Sequence, residues 1–160
     1  MQTSPALLYA GHTDVLIYLP RPEKEEPDTI VMTCGLSTGL SPGDDPGFEL
    51  ILEIRGTVEK AHFGAIASAF ADFAFQPHNR CTYLLEGEIF KATLPPFDRM
   101  SHVLVCPWLY EPDYQQELDL GPRLTVYLAQ AIPLFEHEAR SPGIPSELST
   151  RIASANDPAR

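Results

Sequence analysis

The chain has 160 residues, 44% of them apolar and 21% charged, a balance that fits one globular domain and excludes a disordered segment. Its formal charge of −11, from 22 acidic against 11 basic side chains, excludes nucleic acid as an expected partner, because such a surface repels phosphate. No apolar run is long enough to span a bilayer, so no membrane partner is expected either.

Met1 to Ala10 has no basic residue before its short apolar stretch and does not read as a secretory signal. Asp14 to Leu19 (DVLIYL) predicts a first strand, covered on both faces and ended by Pro20. The polar, proline-bounded stretch Arg21 to Pro27 predicts a loop. Asp28 to Cys34 (DTIVMTC) is rich in β-branched residues and predicts a second strand. Gly39 to Gly47 gathers Gly, Pro and Asp into another loop. In Phe48 to Ile54 (FELILEI), Phe48, Leu50, Leu52 and Ile54 alternate with Glu49, Ile51 and Glu53, which predicts a third strand with one buried face.

The period then changes from two to three and four. Phe63, Ile66, Phe70 and Phe73, with Ala67 and Ala74, form one stripe that predicts a helix over 59–75, with Glu59 in its first turn and Pro77 as its stop. Thr82 to Thr93 suits a hairpin turning near Gly87, and Pro95-Pro96 breaks the chain. His102 to Cys106 (HVLVC) predicts a buried strand, Trp108 to Gly121 a long polar and aromatic loop, and Arg123 to Ile132 the last strand. Pro133 is expected to turn the chain into a short helical segment reaching Arg140. Ser146 can cap a final helix reaching Ala155. Strands on both sides of one main helix predict an α+β fold with a mixed or antiparallel sheet, in a single domain over 12–155.

Cys34, Cys81 and Cys106 are odd in number and widely spaced, which indicates neither a zinc site nor a disulfide framework. Each lies in an apolar context and is expected to be a buried thiol in a cytoplasmic protein. Phosphate-cradling loops are absent from the sequence, and no cofactor or metal is expected. Glu136, His137 and Glu138 are adjacent and so do not share a helix face as a ligand set would.

Gly35-Leu36-Ser37-Thr38-Gly39 matches the G-x-S-x-G elbow of serine hydrolases and follows a strand, with His102 or His137 as candidate base and Asp98 or Asp119 as its orienter. The elbow needs a helix directly after the serine, and the Pro- and Gly-rich stretch from Leu40 to Gly47 does not form one. A strand-to-loop turn is the alternative, with no catalytic residue. Trp108, Tyr110 and Tyr114 interleave with Glu111, Asp113, Glu117 and Asp119, a pattern suited to gripping a basic protein partner. The plain alternative is that Trp108 anchors the core and the rest is a solvated loop. Edge strands of an open sheet also permit a homo-oligomer.

The order of the pieces resembles the suppressor-of-fused-like family. Asp14 to Tyr18 is followed by Thr33-Cys34-Gly35-Leu36-Ser37, then Phe48-Glu49-Leu50, and later by Phe97, His102 to Val105, and Ile132-Pro133-Leu134 with Glu138. The resemblance implies a non-enzymatic binding domain in which Thr33, Gly35, Leu36, Ser37, Phe48, Glu49 and Leu50 are structural markers. It also implies two roles: an immunity-type protein of the bacterial single-domain kind that neutralises a toxin, or a regulatory scaffold that sequesters an endogenous partner.

Overall fold

The computed structural model describes residues 6–10, 13–20, 28–37, 47–80, 87–107, 117–119, 125–141 and 157–159. The β-branched and alternating runs condense into one eight-stranded sheet. In chain order the strands are β1 (Ala6–Ala10), β2 (Thr13–Tyr18), β3 (Thr29–Cys34), β4 (Gly47–Ile54), β5 (Glu88–Lys91), β6 (His102–Pro107), β7 (Glu117–Asp119) and β8 (Thr125–Leu134). In space the order is β1-β2-β3-β4-β8-β6-β5, with β7 also paired to β8. All pairings are antiparallel except β4 with β8, which is parallel. A 3-10 turn at Lys60–His62 leads into helix α1 (Phe63–Arg80), and α2 (Glu136–Ala139) follows β8. The architecture is α+β with a mixed sheet, as the order of strands and helix predicts.

The helical stripe packs on one face of the sheet. Phe63, Ile66, Ala67, Phe70, Phe73 and Ala74 are buried with Val15, Ile17, Val31, Leu50, Leu52 and Val105 in one cluster. Phe73 meets Phe90 of β5 edge-on, with ring centroids 5.9 Å apart. On the opposite face Leu104, Cys106, Ile132 and Leu134 form a smaller cluster against which Ala139 of α2 packs.

Several expectations are corrected. The predicted helix over 59–75 begins later and runs through Pro77 to Arg80. Pro77 is buried and lies in the last turn, where a missing N–H removes one bond rather than breaking a ladder. Pro133 does not turn the chain; it lies within β8, opposite Val103. The β4 ladder on β8 ends at Ala131, so no partner strand on that side needs the proline's absent N–H. Glu49, Ile51 and Glu53 are buried like their apolar neighbours, because β4 is central and covered on both faces. β2, conversely, is sealed on one face only. Ala6–Ala10 adds an unforeseen edge strand, and Glu117–Asp119, expected within a loop, forms β7. The expected hairpin is described only from Gly87 onward, and its β5 pairs with β6. The expected final helix, 146–155, lies outside the described residues.

Candidate functional site

β3 ends at Cys34, and the chain turns away through Gly35, whose φ of 95° is a conformation that glycine adopts freely. That turn brings three successive amides round one carboxylate. Glu49 Oε1 accepts from the Gly35 amide at 3.0 Å, the Ser37 amide at 3.0 Å and the Ser37 hydroxyl at 2.7 Å. Glu49 Oε2 accepts from the Thr33 hydroxyl at 2.7 Å and the Leu36 amide at 3.3 Å. Thr33 Oγ1 in turn accepts from the Leu50 amide at 2.8 Å. Thr33, Ser37 and Glu49 are all buried, with Leu36 beside them. The markers on β3 and those on β4 are therefore one hydrogen-bonded unit, an anion nest filled by the protein's own side chain. At the other end of the same strand pair, Thr29 Oγ1 donates to the Gly56 carbonyl at 2.8 Å and accepts from the Val58 amide at 3.3 Å.

Ser37 and the candidate bases and orienters are not brought together as a triad. Ser37 donates its proton to a carboxylate, not to an imidazole. The Gly35, Leu36 and Ser37 amides all donate to Glu49, while the amide after the serine belongs to Thr38, outside the described residues. His102 stands on β6, separated from β4 by β8, with its Nδ1 3.0 Å from Ser101 Oγ. His137 stacks on Phe135 with ring centroids 5.6 Å apart. Asp98 is exposed in a turn before β6, and Asp119 lies on β7. Among the described residues no three His, Cys, Asp or Glu side chains gather as a metal site would need.

Of the aromatic and acidic stretch, Trp108, Tyr110, Glu111, Asp113 and Tyr114 lie outside the described residues, while Glu117 and Asp119 are on β7. β4 occupies one edge of β8 over Val126 to Ala131, so β6 and β7 share the other edge end to end. On that edge Pro107 is set opposite Ala129. Glu117 is set opposite Tyr127 and Asp119 opposite Thr125, and Tyr127 is in turn opposite Phe48 of β4. Tyr127, which the sequence reading did not single out, is 42% exposed. Its only sequence signal is its place in an otherwise apolar alternation, which looks like core.

The cysteines divide. Cys106 is buried, and burial pushes its thiol up to about 12. Cys34 is exposed, contrary to expectation, because it ends β3 on the less covered face. Its thiol is nevertheless raised, by burial first and then by the negative charges of Glu49 and Asp14.

The sequence profile of the family described as Suppressor of fused protein (SUFU) matches residues 10–141. Among solved structures, a chain of the Sufu–Fu complex is similar at 16% identity and a TM-score of 0.50, with 78% of this chain and 62% of that one covered. Drosophila Suppressor of Fused is similar at 16% identity and a TM-score of 0.48, with 79% of this chain and 34% of that one covered. The chain thus spans less than two thirds of either. No curated protein matches it in sequence.

Proposed function

The chain belongs to the suppressor-of-fused family, and from that premise we propose that it is a non-enzymatic domain acting by stoichiometric binding to another protein. Glu49 carries the proposal. It takes up the serine hydroxyl and the Gly35, Leu36 and Ser37 amides, which supports reading the marker residues as scaffold and seeking function on the surface. The solved neighbour held in a Sufu–Fu complex supports the same class of activity.

For the partner we propose a basic protein, met by Trp108, Tyr110, Glu111, Asp113, Tyr114, Glu117 and Asp119. The −11 charge favours such a partner, and the exposed Tyr127 opposite Glu117 extends the aromatic and acidic character onto β8. Within that class the proposed role is that of an immunity-type protein of the bacterial single-domain kind, occupying the basic substrate surface of a toxin in the cytoplasm. A regulatory scaffold holding an endogenous partner is the second reading, favoured by the complex in which the solved neighbour was found.

Capture from the native host with tagged protein, followed by identification of the retained protein, separates the two roles: a toxin domain supports immunity, an endogenous regulator supports the scaffold. Reversing Glu111, Asp113, Glu117 and Asp119 to Lys together is expected to weaken that complex at least about tenfold while the melting temperature moves by only a few degrees. An unchanged Kd retires the patch. Covalent labelling of Ser37 by a fluorophosphonate retires the binding reading itself.

A further inference from the structure

Over β2 and β3 the sheet is sealed on one face and half-open on the other. Val15, Ile17 and Val31 lie in the cluster beneath α1. On the opposite face Asp14, Leu16, Ile30 and Met32 are half-buried, Tyr18 is 38% exposed and Cys34 is exposed. Register sets these residues side by side: Asp14 opposite Cys34, Leu16 opposite Met32, and Tyr18 opposite Ile30. In register, β1 sets Leu7 opposite Leu16. Among the described elements α2 is the helix on this face, and it packs at β6. A sheet face with an apolar centre is normally covered by a second layer, as α1 covers the other side here.

The chemistry at the rim selects what covers it. Asp14 stands at one corner, opposite Cys34, and sets a carboxylate at the rim of the face. A second copy would bring a further −11 against this surface and be repelled. The two strands lie about 4.8 Å apart and are six residues long, a footprint of roughly 150–200 Å². A stable interface needs about 800 Å² per partner, so this face is an anchor within a larger contact.

We propose that the open β2–β3 face, from Asp14 and Cys34 to Tyr18 and Ile30, is a second docking surface that takes a basic amphipathic helix of a protein partner. The apolar stripe of that helix lies on Leu16, Ile30 and Met32, and Lys or Arg beside the stripe meets Asp14. The inference rests on the reading of the chain as a protein-binding domain and adds a surface to it.

Methionine methyl NMR tests it on the intact protein, because Met32 lies in the patch while Met100 is buried. The probe is an 18-residue peptide of Leu and Lys with Leu at helical spacing; its controls are a Leu/Glu counterpart and a scrambled Leu/Lys peptide of the same composition. The Met32 signal is expected to shift saturably at one peptide per chain with the first probe only, while Met100 stays fixed. Asp14→Lys is expected to weaken that binding about tenfold, and the charge-neutral pair Tyr110→Ala with Tyr114→Ala to leave it unchanged, so the two surfaces fail separately. The proposal is overturned if the peptide binds without moving Met32, if the scrambled peptide does as well, or if Met32 shifts with protein concentration alone, which would make the occupant a second copy.

Discussion

A buried carboxylate is costly unless its lone pairs are filled, and Glu49 fills them from a single turn and one neighbouring threonine. Removing it leaves buried donors without an acceptor, so Glu49→Ala is expected to lose about 3–5 kcal/mol in urea denaturation. Ser37→Ala removes one hydrogen bond to a charged group and is expected to lose about 2 kcal/mol with partner affinity intact. A loss of affinity without a loss of stability would mean that the hydroxyl has a role beyond scaffolding. The sequence displayed Thr33-x-Gly35-Leu36-Ser37 and Phe48-Glu49-Leu50 as two separate markers. Their union was not legible, because it is made by the antiparallel return of β4 beside β3, and a Glu in an alternating strand ordinarily faces water. Cys106 makes a pH dependence testable at the same scale. Its folded thiol is raised to about 12 from 9.0, so above pH 9 the unfolded chain ionises first and binds fewer protons than the folded one. Stability is thus fully present below pH 9 and falls by about 1.4 kcal/mol per unit until pH 12. Cys106→Ala is expected to flatten the alkaline slope by that amount relative to wild type, measured by urea midpoints between pH 9 and 10.5; equal slopes would reject it.

Elements with a clear period were read correctly and their ends were not. The stripe from Phe63 to Ala74 fixed α1, and the alternation at Phe48 to Ile54 fixed β4, since one apolar face suffices to specify either. Two prolines misled in the same way. Pro77 and Pro133 read as stops in sequence, yet Pro77 gives up a single helical bond with only one turn left to run, and Pro133 lies past the end of the β4 ladder. β7 was unreadable because Glu-Leu-Asp has low strand propensity and owes its conformation to pairing with β8. The candidate site shares that fate: Glu117 and Asp119 stand out in sequence as carboxylates interleaved with Trp108, Tyr110 and Tyr114, and only register sets Tyr127 opposite Glu117. Gly87 illustrates a constraint at the start of β5. Its φ is 80°, and a Cβ there would stand 3.1 Å from Leu104 Cδ1 and 3.5 Å from Cys106 Cβ. Gly87→Ala combines backbone strain with that crowding and is expected to lose about 1–3 kcal/mol. By contrast Glu136 and Arg140 pair in the open on α2, and Arg140→Ala is expected to change the urea midpoint by less than about 0.5 kcal/mol equivalent.

For the molecule as a whole, charge and apolar anchoring have separable consequences. A net charge of −11 spread over 160 residues acts at long range, accelerating the approach of a basic partner without fixing how long it stays. Duration is set by desolvated contacts at the centre of an interface, for which Leu16, Ile30 and Met32 on the open sheet face are the apolar candidates. Screening reaches the first effect and largely spares the second: the Debye length shrinks from about 30 Å at 0.01 M salt to about 8 Å at 0.15 M. Stopped-flow association with the captured partner is therefore expected to slow at least about tenfold over that range, with dissociation changing less than about threefold. Met32→Ala is expected to show the converse, a faster dissociation at an unchanged association rate. An association rate that ignores salt would detach the acidic surface from recognition and leave solubility as its role. A Met32→Ala protein that dissociates like wild type would confine binding to the Trp108–Asp119 stretch, because a surface that holds a partner by excluded water must lose residence time when its apolar contact is cut back.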